Sequence, residues 1–117
     1  MFIFASECLM PDALMRVVLA GVLVATTHPA LADIQAGRQK AQMCATCHGP
    51  MGLATMPNTP NLAGQPEIYL SNQLRAYRSG ERRHEVMAVI AKPLSDDDIA
   101  NLAAWFSSVR IEAKAPN

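Results

Sequence analysis

Cys44-Ala45-Thr46-Cys47-His48 is the stretch on which the reading of this chain turns. Residues three apart on a helical turn lie on one side of it, so both thiols face the same way and the imidazole follows directly. Several chemistries use such a set. A dithiol oxidoreductase also carries C-x-x-C, but after a strand of a parallel-sheet unit, and no strand pattern precedes Cys44. A structural zinc site needs four ligands. Beyond residue 32 the chain offers only Cys44, Cys47, His48 and His84, and adjacent Cys47 and His48 make awkward tetrahedral partners. A disulfide closing a tiny loop is the plain alternative in an exported chain.

The remaining chemistry fits best. C-x-x-C-H is the attachment signature of a c-type haem: the two thiols reach the two vinyl groups on one porphyrin edge, and the histidine is delivered beneath the iron. Composition agrees. The 117 residues hold ten Lys plus Arg and ten Asp plus Glu, which excludes a nucleic-acid binder working through bulk positive charge. Half the residues are apolar, yet only six are aromatic, so the chain is short of large side chains with which to fill its own core. A haem would fill it.

The N-terminal third of the sequence reads as an export signal. Val17 to Ala25 is an apolar run preceded by Arg16 and followed by Thr26, Thr27, His28, Pro29 and then Ala30-Leu31-Ala32. Cation, short apolar run, breaker and small-x-small is the order of a secretory signal peptide. A membrane span needs roughly 20 apolar residues, more than this run supplies. The expected organisation is therefore a signal peptide at 1–32 and one domain at 33–117, periplasmic, with no stable membrane span after cleavage and a membrane tether if the signal is kept. Met1 to Leu14 carries Glu7 and Asp12 where a signal favours positive charge, so Met15 is an alternative start. No lipid-anchoring cysteine follows the run.

The rest of the pattern predicts an all-α domain. Asp33 to Met43 is Ala-rich, with Asp33 as cap and Ile34, Ala41 and Met43 as packing candidates. Pro66 to Arg78 is a second helix, with Leu70, Leu74 and Tyr77 at i, i+4 and i+7 and Ser79-Gly80 as its stop. Ser95 with Asp96, Asp97 and Asp98 opens a third, in which the hydroxyl and acids meet the free amides and the positive end of the dipole. The triple-Asp run thus reads as a helix clamp and not a metal site. Ile99, Leu102, Ala103 and Phe106 line that helix's inner face.

With these stretches in hand, the chain resembles a class I c-type cytochrome, the small soluble bacterial monohaem type, and is similar to one half of the dihaem cytochromes. The likeness covers about Ile34 to Val109. It rests on Gly37 leading into Cys44–His48 and Gly49, on Pro60-Asn61-Leu62-Ala63-Gly64-Gln65, on Tyr69 through Arg82, and on Leu94 to Phe106. The resemblance implies the class I cytochrome c fold, three main helices plus short connecting segments around one covalent haem. It implies a crossing of the first and last helices with Gly37 against Trp105, so bulk at Gly37 should destabilise. It also implies that the Pro60 carbonyl accepts the second imidazole proton of His48, which would orient the ring and raise its basicity.

A methionine thioether on the opposite side would complete the site and raise the potential, as suits an electron carrier. Met43 and Met51 are tied to the His48 side, and Met56 would need its loop to bypass the macrocycle. Met87 follows a full helix and can come round the far face. Family likeness agrees, since Arg82 to Met87 followed by Leu94-Ser95 resembles its distal-ligand segment. His84 departs from the usual small or acidic residue there, which leaves a bis-histidine site open. By analogy, Tyr69 and Arg82 are candidates for the haem propionates.

The function implied is one-electron transfer between redox partner proteins, by a monomer or weak dimer, with no catalytic acid, base or nucleophile. The alternatives are a peroxidase-like haem enzyme or sensor with an open sixth position, for which Glu85 and His84 are the nearby polar groups, and an electron-donating subunit of a larger oxidoreductase.

Overall fold

The computed structural model describes residues 31–116. The expected signal peptide and the alternative start at Met15 lie outside the described residues, apart from Leu31 and Ala32. All regular structure among the described residues is helical. The order is α1 (Ile34–Lys40), a 3-10 turn (Ala41–Met43), a single turn α2 (Ala45–His48), α3 (Glu67–Ser79), α4 (Glu85–Ala91) and α5 (Asp96–Ser108). None of these is long and apolar enough to cross a membrane.

Each helix starts where local chemistry allows. Asp33 sits extended before α1 and its carboxylate accepts the N–H groups of Gln35 and Ala36 at 2.8 and 3.1 Å. Ser95 and Asp98 form a reciprocal capping box at α5, with both bonds at 3.0 Å. These are the free amides that a helix start leaves without internal partners. Helix α3 begins one residue later than its pattern predicts, with Pro66 as the flanking residue, and stops at Gly80 in the left-handed region (φ 84°). The connecting segment from Glu81 to Leu94 is more regular than expected, because α4 occupies half of it.

Helix α1 packs across α5, and Gly37 makes the approach possible. A Cβ there would lie 2.0 Å from the Asn101 carbonyl oxygen and 2.9 Å from the Trp105 Cβ. Polar ties reinforce the crossing: the Asp33 N–H donates to Asn101 Oδ1 at 2.7 Å, and Lys40 pairs with Asp98 at 3.1 Å. Helix α3 meets the start of α5 through Arg78, which donates to the Leu94 carbonyl at 2.8 Å and pairs with Asp96.

The buried cluster is Ala41, Leu70, Ala91, Leu94, Ile99, Leu102, Ala103 and Phe106. Three of the eight are alanines, so the helices approach closely but enclose little apolar volume of their own. Ile34, expected to pack, is exposed, because the buried side of α1 is given over to Gly37 and is continued by Ala41 in the 3-10 turn. The long connection from Gly49 to Gln65 closes on α5: the Gly64 N–H donates to the Phe106 carbonyl at 2.9 Å, and Gly52 (φ 78°) lies so near the Phe106 ring that a Cβ would fall 2.7 Å from it.

The acid run at the start of α5 also sets a pH dependence. The hydrogen bond and charge of Arg78 hold Asp96 below the ordinary carboxylate value, and the backbone N–H of Ser95, helped by Lys40, does the same for Asp98. Depressed values in the folded state mean stability that is complete above the unfolded carboxylate pKa and lost as pH falls through the folded one. The melting temperature should therefore stay flat from neutrality and decline below about pH 4. Replacing Asp96 with Asn should shallow that decline, whereas stabilisation on acidification would contradict the assignment.

Candidate functional site

Residues from every helix except α1 line one cavity of about 670 Å³. Its walls are mainly apolar, with Leu70, Leu74, Ile90, Leu94, Leu102 and Phe106 prominent among them. The volume falls within the usual range for a small-molecule or cofactor pocket. All seven residues singled out from sequence, Cys44, Cys47, His48, Pro60, Tyr69, Arg82 and Met87, line this same cavity although they span 44 positions of chain.

The attachment turn is built as its spacing requires. The His48 N–H bonds to the Cys44 carbonyl at 2.9 Å, so the two cysteines and the histidine share one helical turn. Both cysteines are free thiols. Burial, reinforced by neighbouring Cys47, pushes the Cys44 thiol up to about 11 from the ordinary 9.0. A dithiol oxidoreductase activates its nucleophilic cysteine by the opposite shift. Among the described residues no group of three His, Cys, Asp or Glu side chains gathers as a metal site.

His48 is buried and its Nδ1 lies 2.8 Å from the Pro60 carbonyl oxygen. A carbonyl can only accept, so Nδ1 carries the proton and the neutral ring keeps its lone pair on Nε2. That lone pair is what a metal-ligating imidazole needs. The loop that delivers Pro60 is held by Asn61, whose side chain accepts the Ala54 N–H at 2.8 Å, and by the Leu62 and Ala63 N–H groups on the Gly52 carbonyl. Gly52 thus positions the site from outside the lining, and Asn61 does so from within it.

Met87 lines the cavity from α4, and Met43 and Met56 also border it, whereas Met51 does not. Arg82 donates to Gln73 and lies over the Tyr77 ring, its guanidinium 4.7 Å from the ring centre. Among the described residues it is the one guanidinium in the lining, and no carboxylate joins it there. A cavity with a single cation and no acid suits a largely apolar group with acidic substituents. Apolar walls, two thiols on one turn and an imidazole with a free Nε2 together fit a covalently held haem. Gln73 and Tyr77 were not legible as site residues, because a glutamine and an aromatic at helical spacing read as surface and core.

Comparison with known proteins agrees with this chemistry. The cytochrome c family profile matches residues 34–110. Cytochrome c-554(548) of Halomonas halodenitrificans is 43% identical over 79 residues, which cover 65% of this chain and 95% of that protein. Cytochrome c4 of Pseudomonas aeruginosa is 38% identical over 102 residues, 87% of this chain and 50% of the relative. The crystal structure of reduced recombinant cytochrome c4 from Pseudomonas stutzeri superposes with a TM-score of 0.64 at 39% identity, over 68% of this chain and 46% of that one. The chain therefore spans nearly all of one relative and about half of the other two, and resembles one half of a dihaem cytochrome c4. This all-α chain belongs to the cytochrome c family, as a class I c-type cytochrome that carries one covalent haem c and works as an electron carrier.

Proposed function

We propose that residues 33–117 form an exported, periplasmic electron carrier whose haem is fixed by Cys44 and Cys47 and ligated by His48 Nε2 on one side and the Met87 thioether on the other. The observation that carries this is the His48–Pro60 bond, which leaves Nε2 free in a cavity that Met87 also borders. The haem, when bound, supplies a one-electron couple. Everything else is the work of the chain. Pro60 holds the imidazole plane and raises its basicity. The apolar walls exclude water, which keeps the surroundings from reorganising when the charge changes. Arg82, held by Gln73 and Tyr77 on the lining, offers a cation for an acidic substituent. Residues 1–32 direct export, and redox proteins are the partners that this chemistry serves.

The peroxidase-like alternative requires an open position beside a free acid or base. Glu85 is absent from the cavity lining, and His84 uses Nδ1 to accept the Met87 N–H. His84 does border the cavity, but with Nδ1 engaged its Nε2 carries the proton, so it offers no free base there.

Met87→Ala tests the ligand assignment. The wild-type ferric protein should be low spin, with a sulfur-to-iron charge-transfer band, and M87A should lose that band while keeping the haem attached. A band that survives in M87A would assign the sulfur elsewhere, with Met56 the next candidate on the lining.

A further inference from the structure

Helix α4 begins at an unusual residue. Asn, Asp, Ser and Thr are the favoured helix caps, and α1 and α5 use Asp33 and Ser95. Helix α4 uses His84, which is extended (φ −164°, ψ 122°) and whose Nδ1 accepts the backbone N–H of Met87 at 3.3 Å. To accept there, the ring carries its proton on Nε2. The amide being capped belongs to the same residue as the thioether, so this bond acts directly on the Cα from which the Met87 side chain departs.

An imidazole also does what a hydroxyl or a carboxylate cannot. The His84 ring stands edge-on to Tyr77, with centroids 6.3 Å apart and planes at 75°. Tyr77 lies beneath the Arg82 guanidinium, and Arg82 donates to Gln73. A continuous series of contacts thus runs from α3 to the Met87 amide, and all four side chains border the cavity.

We infer that His84 is a positioning residue for Met87: braced against Tyr77, it fixes the first turn of α4 through the Met87 amide and so sets where the thioether meets the cavity. This rests on the reading of Met87 as the distal ligand. An alanine at 84 removes both the acceptor and the brace, so the thioether is held less firmly and a competing ligand displaces it more readily. Ser95 is the control, a two-bond cap on a helix that carries no ligand, so a loss there tests whether destabilisation alone frees the thioether.

The experiment uses the haem-loaded protein and titrates added imidazole against the sulfur-to-iron band in wild type, H84A, H84N, S95A and M87A. H84A should bind imidazole about fivefold more tightly, which corresponds to the ~1 kcal/mol loss of a helix cap. H84N, which can still accept the amide, should recover most of that difference. S95A should lower the melting temperature yet leave imidazole affinity within about twofold of wild type. Unchanged affinity in H84A, an S95A effect as large as that of H84A, or an H84N protein as labile as H84A would each overturn the inference. A band retained in M87A would overturn the ligand reading itself, and is told apart from the other failures because it appears before any imidazole is added.

Discussion

Gly37→Ala should lower the stability of the holoprotein by about 1–3 kcal/mol, a fall in melting temperature of roughly 4–24 °C for a domain of this size. Two effects oppose one another at this position. Alanine is the better helix former by about 1 kcal/mol, so propensity alone would make G37A more stable. Packing says otherwise. The added Cβ would sit 2.0 Å from the Asn101 carbonyl oxygen and 2.6 Å from its carbon, and both are backbone atoms of α5 that no rotamer change can remove. Relief requires α1 and α5 to separate, which loosens the Asp33–Asn101 bond and the Lys40–Asp98 pair together. The sign of the measured change decides between the two effects. A melting temperature that rises in G37A would show that the helices do not approach this closely.

A double replacement of Cys44 and Cys47 with Ser should abolish the holoprotein. Produced alongside haem-attachment machinery, the variant should migrate at the mass of the bare polypeptide, show no colour after denaturation, and lose most of its helical circular dichroism. The last expectation follows from the cavity. Without the group it is shaped for, a space of about 670 Å³ leaves its apolar walls facing water, and that burial is lost to the fold. An ordinary domain has only about 5–15 kcal/mol of net stability. A cluster in which only Ile99 and Leu102 are large, fully buried side chains cannot hold such a space open. A colourless double variant that still unfolds cooperatively, with wild-type helicity, would show that the helices need no cofactor to stay together.

How much of this was legible depended on whether the signal was local. Asp33 and Ser95 announce their helices because a short polar cap followed by apolar residues at helical spacing has few other readings, and both caps form. The attachment pentapeptide is legible for the same reason: its spacing and its chemistry reside in five consecutive residues. Helix α4 was harder to see, since its cap is a histidine and Val86 and Val89 are weak helix formers that stay exposed. The position of Ile34 was misjudged because an apolar side chain on a short helix does not state which side will be covered. Arg78 joins α3 to Leu94 and Asp96, partners that helical spacing alone does not bring together. The roles of Asn61 and Gly52 depend likewise on a loop closing against α5.

The enclosure around the site is contributed by stretches as far apart as Met43 and Phe106. During synthesis the reactive sulfurs emerge early, and the segment that shuts the back of the chamber emerges last. Attachment before the C-terminal part of the polypeptide docks leaves that wall out of the way, and the helices then close around the pigment. For this chain the order of assembly is a consequence of its architecture: stitching first, wrapping second.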